Sequence, residues 1–221
     1  MQFLYDEGAS NSRLKIVNEN YKYLFRVRRK GVGETLFLRN LRDNILYKYE
    51  IVEVSKREAI LELISSEVSV KNSAINFHLI WCLIDPKSIE KSLPYLNQIG
   101  VSKISFVYCD RSQKNFKVDI VRFQKIVINS SQQSGRTSLM EFEILDSIDE
   151  VTQKYNSFCV LDFGGITSYS NECQRVLVGC EGGFSEGERE SLASKQKISF
   201  KTDLILKSET AAIVIAAKHL I

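Results

Sequence analysis

Two stretches near the C-terminus carry the residues best suited to chemistry: VLVGCEGGFSEGE at 176–188 and LILKSETAAIVIAAKHLI at 204–221. In the first, an apolar run ends at Gly179, and a helix start follows, with Ser185 as N-cap and Glu188 three residues on, the spacing of a capping box. Gly182 and Gly183 permit backbone torsions and close approach that a side chain would block. A phosphate loop is the first chemistry to test. It fails, because neither GxxxxGK[ST] nor GxGxxG is present, and Glu181 and Glu186 stand where a phosphate needs cations. An uncharged or cationic ligand suits the loop better; a tight turn that merely needs glycine is the competing reading. The second stretch ends in a strongly apolar helix. Ala211, Ala212, Ala216 and Ala217 allow close helix contacts, while Ile213, Val214, Ile215 and Leu220 leave few faces polar. Such a helix must be covered, either in its own domain or by a second subunit, and a symmetric dimer is a natural solution.

Other chemistries find little support in the residue types. The histidines are two, His78 and His219, far apart and without a Cys or paired carboxylate at ligand spacing. No metal site is expected, and no Ser/His/Asp or Cys/His nucleophile system. The five cysteines (Cys82, Cys109, Cys159, Cys173, Cys180) form no CxxC pair, and three lie in apolar runs such as SFCVLDF, which reads as buried free thiols.

Net charge is only +3 and the pI about 8.5, so the whole chain is not a polycation wrapped on nucleic acid. The charge is clustered, however. YKYLFRVRRKG at 21–31 groups Lys22, Arg26, Arg28, Arg29 and Lys30 without an acid, interleaved with Tyr21, Tyr23 and Phe25. DRSQKNFKVDIVRFQK carries Arg111, Lys114, Lys117, Arg122 and Lys125. One such run alone reads as a solvated helix face. Two runs beside aromatics point to a patch that meets phosphates and unstacked bases, as RNA-binding surfaces do.

These residues need a scaffold, and 221 residues allow one large domain or a domain with a small companion. Hydrophobic residues at 44% and charged ones at 26% are ordinary for a globular protein. No run approaches the ~20 apolar residues of a membrane span, and MQFLYDEGASNS lacks the basic start and apolar run of a secretory signal, so a cytoplasmic location is expected. The first seventy residues read as short antiparallel strands, ETLFLRN, NILYKYEIVEVS and EAILELIS, fit for a compact β-barrel. The polar segment 67–76 reads as a linker. From Phe77 the pattern changes to strand then helix: FHLIWCLI, a helix over 87–98 closed by Gly100, KISFVYC, a helix near 119–133, FCVLDF, RVLVG and a last helix. That alternation specifies an α/β fold with a mainly parallel sheet, whose ligands bind beyond the carboxyl ends of the strands.

The two C-terminal stretches together resemble the SPOUT methyltransferases with a C-terminal trefoil knot, and among them the family that methylates N3 of a uridine in bacterial 16S ribosomal RNA. That family carries a GPEGG loop, then F/L-S-x-x-E, then an LRTETA-like loop opening the final helix. This chain has Gly179, Cys180, Glu181, Gly182, Gly183, Phe184, Ser185 and Glu188, followed by Leu206, Lys207, Ser208, Glu209, Thr210 and Ala211. QIGV at 98–101 is similar to the family's ELGV, DRS at 110–112 to ERS, QQSGR at 132–136 to EQSGR, and FRVRRKGVGE at 25–34 to VLRxxxGD. It departs at Cys180 for proline, Lys207 for arginine, Gln98 and Gln132 for glutamate, and Tyr95 for lysine.

The resemblance implies a PUA-like β-barrel over 1–70 that binds RNA and a SPOUT methyltransferase domain over 71–221. It implies S-adenosylmethionine as cofactor, held by Leu161, Gly179, Cys180, Glu181, Gly182, Gly183, Leu204, Leu206, Lys207, Ser208 and Thr210. RNA contacts are expected from Lys22, Arg26, Arg28, Arg29, Arg111 and Arg136. Ribosomal RNA, free or in the assembled small subunit, is the expected partner, and a second copy of the chain is expected against the C-terminal helix. Uridine N3 must lose a proton before it attacks, so a base or a cation favouring the deprotonated ring is needed, and Glu181 and Arg136 are the candidates. Two rival readings are a SPOUT enzyme acting at another RNA position and a non-catalytic RNA-binding assembly factor.

Overall fold

The computed structural model describes residues 2–113, 115–167 and 173–221. The chain forms two compact units, one of residues 1–72 with 128–139, the other of 73–127 with 140–221.

In the N-terminal unit the strands are β1 (Leu4–Tyr5), β2 (Arg13–Ile16), β3 (Thr35–Arg39), β4 (Ile45–Val54) and β5 (Ala59–Val68), with a short helix α1 (Asn18–Tyr21) running into a π-helical turn, Lys22–Val27. They form one curled sheet in the order β1-β3-β4-β5-β2, antiparallel except for β1 on β3. Alternation sets the inner face: Leu36 and Leu38 of β3, Tyr47, Tyr49 and Ile51 of β4, Leu61 of β5 and Ile16 of β2 are buried together. Register shifts at Lys48/Tyr49 and Ile51/Glu53 bulge β4 and bend the sheet. The three longer strands stand where the sequence reading put them, whereas β1 and β2, of two and four residues, are too short to show a period.

The C-terminal unit is built on six parallel strands, β6 (His78–Cys82), β7 (Lys103–Val107), β8 (Glu141–Leu145), β9 (Cys159–Ile166), β10 (Arg175–Val178) and β11 (Gln196–Ile198), ordered β11-β9-β10-β6-β7-β8. The central strand β6 is buried at every residue, which is why it reads as unbroken hydrophobicity rather than alternation. Its helices are α2 (Pro86–Ile99), α3 (Ile120–Ser134), α4 (Ile148–Lys154), α5 (Glu186–Ser191) and α6 (Ser208–Leu220), of which α3 is shared between the units. α2 buries Ile89, Leu93 and Leu96 and ends at Gly100, whose φ of +109° and contact with Ser73 leave no room for a Cβ. α6 packs on α2, β6 and β10 through Ala211, Ala212, Ile215 and Ala216, while Ile213, Val214 and Leu220 stay half-buried. Part of its cover therefore comes from its own chain.

One expectation about the cysteines is corrected. Cys82, Cys109 and Cys180 are free and buried, but Cys159 and Cys173 are joined as a disulfide across a Cα separation of 6.0 Å. The parallel register sets Val176 of β10 opposite Cys159, so the residues leading into β10 pass beside Cys159. Sequence spacing carries no trace of that pairing.

Candidate functional site

A cavity of about 210 Å³ opens at the carboxyl end of β10, beside the middle of β9. The first wall is the turn after β10: Gly179, Cys180, Glu181, Gly183 and Phe184. The second is the segment leading into α6, with Thr202, Leu204, Ile205, Leu206 and Ser208. Leu161, Asp162, Phe163 and Gly164 of β9 form a third side, with Ser199 and Phe200 after β11.

The glycine turn is held tightly. The Gly183 amide donates to the Cys180 carbonyl at 2.9 Å, and Gly183 sits at φ +65°, the left-handed region that disfavours a side chain. A Cβ on Gly179 would meet the Phe184 ring at 3.4 Å. Beyond the turn, Ser185 and Glu188 form the capping box read from the sequence, and α5 follows. Glu188 is nearly buried and works twice: Oε2 accepts from the Ser185 amide and Oε1 from the Asp110 amide, both at 2.8 Å. The carboxylate that braces the loop is thus Glu188. Glu181 stands exposed on the cavity wall, and among the described residues none donates a hydrogen bond to it.

Ser208 joins the two principal walls. Its hydroxyl accepts from the Trp81 indole N–H at 2.9 Å and donates to the Gly179 carbonyl at 2.6 Å, and the side chain is buried. The first residue of α6 is thereby tied to the first of the turn after β10 and to the central strand. Arg111 adds a further tie, donating from Nη1 to the Gly182 carbonyl at 2.6 Å. Arg189 of α5 pairs with Asp162 at the cavity edge.

Of the residues expected to hold a cofactor, Leu161, Gly179, Cys180, Glu181, Gly183, Leu204, Leu206 and Ser208 line the cavity. Gly182, Lys207 and Thr210 lie outside the lining: Gly182 faces Arg111, and Lys207 and Thr210 are exposed at the start of α6. Trp81, Asp162, Phe163 and Arg189 escaped the sequence reading. Trp81 looks like core in an apolar run, and nothing local says that its N–H is aimed at Ser208.

The expected RNA-contacting residues fall into separate settings. Lys22, Arg26, Arg28 and Arg29 are exposed on the N-terminal unit. Arg28 is pre-oriented, its Nε donating to the Tyr23 hydroxyl at 2.9 Å with the guanidinium 5.4 Å from the Tyr23 ring centre. Lys30 is instead paired with Glu34 at 2.6 Å. Arg136 is buried within the N-terminal unit, its Nε donating to Ser138 Oγ at 3.3 Å, and burial lowers its pKa to about 10, so it remains a cation. Arg111 is committed to the glycine turn. Lys114 lies outside the described residues.

A second polar cluster occupies the opposite end of the parallel sheet. Ser105 Oγ donates to Glu143 at 2.7 Å, so the proton shared with His78 Nε2 at 2.8 Å comes from the imidazole, fixing its tautomer. Burial, then Lys103 and Arg175, push the His78 pKa down to about 4. Burial works against the Glu143 carboxylate, but hydrogen bonds from Lys154, Tyr155, Ser105 and Lys103 outweigh it and lower its pKa to about 2.

A deep turn of glycines, a facing segment tied to it through Ser208 and a parallel sheet beneath both define a ligand-binding α/β domain. Residues 71–220 match the RNA methyltransferase domain family and residues 16–64 its PUA domain, and the chain belongs to this family of RNA methyltransferases. Among its relatives is the ribosomal RNA small subunit methyltransferase E of Helicobacter pylori, 42% identical over 98% of each chain. The fold is shared with a methyltransferase from Legionella pneumophila solved with bound SAM, at a TM-score of 0.86 and 23% identity, covering 99% of this chain and 96% of that one. It is shared equally with the Neisseria gonorrhoeae ribosomal RNA small subunit methyltransferase E bound to S-adenosyl methionine, at a TM-score of 0.82, 20% identity and the same coverage.

Proposed function

We propose that the chain methylates N3 of a uridine in small-subunit ribosomal RNA, using S-adenosylmethionine held in the cavity between the glycine turn and the segment before α6. The observation that carries this reading is the Ser208 tie, which turns two sequence-distant loops into one walled pocket. The pocket fits the cofactor chemically. Its apolar walls, Leu161, Phe163, Leu204 and Leu206, suit an adenine face and a thioether arm, and glycines at 179 and 183 expose backbone to a closely packed ligand. Glu181 complements a sulfonium better than it would a phosphate.

When bound, the cofactor supplies an electrophilic methyl group. The chain's part is alignment and handling of the N3 proton. We assign the proton to Glu181, the solvent-reached carboxylate of the wall. Lys22, Arg26, Arg28 and Arg29 are assigned to the phosphates of the RNA. Ile213, Val214 and Leu220 of α6 are assigned to a second copy of the chain, and a cytoplasmic location is assigned along with the ribosomal substrate.

Calorimetric titration with S-adenosylmethionine and S-adenosylhomocysteine tests the pocket. Saturable binding by the wild type, lost in Gly183→Arg, is expected; absence of binding by the wild type at millimolar ligand would remove the cofactor reading. Mass spectrometry of 16S ribosomal RNA from a deletion strain tests the target, with one 3-methyluridine expected to disappear. Loss of a different methylated nucleotide would redirect the assignment to another position.

A further inference from the structure

Cys180 borders the cavity, and its Sγ lies 3.5 Å from the Sγ of Cys109, a residue 71 positions earlier in the chain. Both side chains are buried, at 6% and 2% exposure. Cys109 is anchored from behind: its Sγ contacts Ser112 Oγ at 3.0 Å, and Ser112 donates to the Leu83 carbonyl at 2.9 Å. Cys180 belongs to the glycine turn itself, its thiol facing the Gly183 carbonyl at 3.6 Å while its own carbonyl accepts the Gly183 amide.

We propose that Cys109 and Cys180 form an oxidation site, closing to a disulfide when a small hydroperoxide enters the ligand-free cavity, and that this bond disables cofactor binding. The inference rests on the reading of the cavity as the cofactor pocket. The Cys180 sulfur attacks a peroxide oxygen; the O–O bond breaks, the peroxide is reduced, and the thiol proton leaves with the departing oxygen as water from hydrogen peroxide or as the parent alcohol from an organic hydroperoxide. The Cys109 sulfur then attacks the resulting sulfenic sulfur, the S–O bond breaks, and a second water carries off the Cys109 proton. Two thiols and one hydroperoxide thus give one disulfide and two oxygen-containing products, water and the parent alcohol or water.

Closing the contact from 3.5 Å to a bond of about 2.05 Å requires side-chain rotation and a modest shift of the turn. Cys109 does not line the cavity, so the pull is out of the wall, and it removes the thiol donor facing the Gly183 carbonyl. A cofactor seated in the cavity covers the route to Cys180. Cys82 also contacts Cys109 but is wholly buried and does not line the cavity, which makes Cys180 the partner.

The test uses the full chain treated with hydrogen peroxide, with and without S-adenosylhomocysteine, then alkylated and mapped by mass spectrometry. A Cys109–Cys180 cross-linked peptide is expected, suppressed by the ligand. Calorimetry should show affinity for S-adenosylhomocysteine falling at least about tenfold on oxidation and returning after dithiothreitol. Cys109→Ala should bind like the reduced wild type before peroxide and give no cross-linked peptide after it. Free Cys109 and Cys180 after treatment, a Cys82–Cys109 link, or a disulfide with unchanged affinity would each overturn the proposal. If reduced protein binds no S-adenosylhomocysteine, the cofactor reading and the switch fall, while the peptide map still decides the thiol pairing.

Discussion

Ser208 carries more of the site than any glycine does. Replacing it with alanine leaves a buried indole N–H and the Gly179 carbonyl without their partner. Because a buried donor stripped of its partner costs about 1–3 kcal/mol, Ser208→Ala should lower the urea unfolding free energy by that much and weaken S-adenosylhomocysteine binding in parallel. An unchanged affinity would show that the tie holds the fold without shaping the pocket. The glycines divide by mechanism. At Gly183 the nearest atom to an added Cβ is 3.8 Å away, so the cost of Gly183→Ala is backbone strain at φ +65°, about 1–2 kcal/mol. At Gly179 the backbone is ordinary and the added methyl presses on Phe184, a contact that the ring can relieve.

At the level of elements, the glycine turn is braced from the loop after β7. Glu188 accepts the Asp110 amide and Arg111 reaches the Gly182 carbonyl, so a motif that looks like a phosphate contact in sequence is spent on the turn. Arg111→Met should therefore weaken S-adenosylhomocysteine binding and leave the salt dependence of RNA binding unchanged. A phosphate-contacting arginine would instead lower the slope of log affinity against log salt by about one. Filter binding across a salt series distinguishes the two. Glu188→Ala removes the acceptor of two backbone amides and should cost about 1–2 kcal/mol, measured by denaturant unfolding, because half of the capping box and the brace on Asp110 are lost together.

The whole molecule should respond to acid in two stages. His78 has a folded pKa near 4 against an ordinary 6.5, so the unfolded chain binds its proton first, and stability is full above about pH 6.5 and declines as pH falls toward 4. Glu143, held near 2 against 4.5, adds a second loss from about pH 4.5 downward. The unfolding free energy, from urea titrations at constant ionic strength, should fall across the first window by about 3 kcal/mol at most, and His78→Gln should flatten that part of the profile. Sedimentation addresses the half-covered face of α6: a dimer at micromolar concentration is expected, and Ile213→Glu should give monomers that stay folded.

Much of this was legible in the residues. Period-two alternation placed β3 to β5, unbroken apolar runs placed the buried strands, Gly100 ended α2, and Ser185 with Glu188 announced α5. The paired loop motifs located the cavity's two walls, because glycine where a ligand must approach backbone and small residues where helices must touch are demands written locally. What local sequence could not contain is which distant side chains meet. Ser208 and Trp81 are 127 residues apart, Cys180 and Cys109 71, and Cys159 pairs with Cys173 only because β9 lies beside β10. Those meetings follow from the order β11-β9-β10-β6-β7-β8, which sets strands far apart in the chain side by side; hydrophobic pattern marks the strands buried at the centre of the sheet, while only the packing of the whole sheet chooses their neighbours.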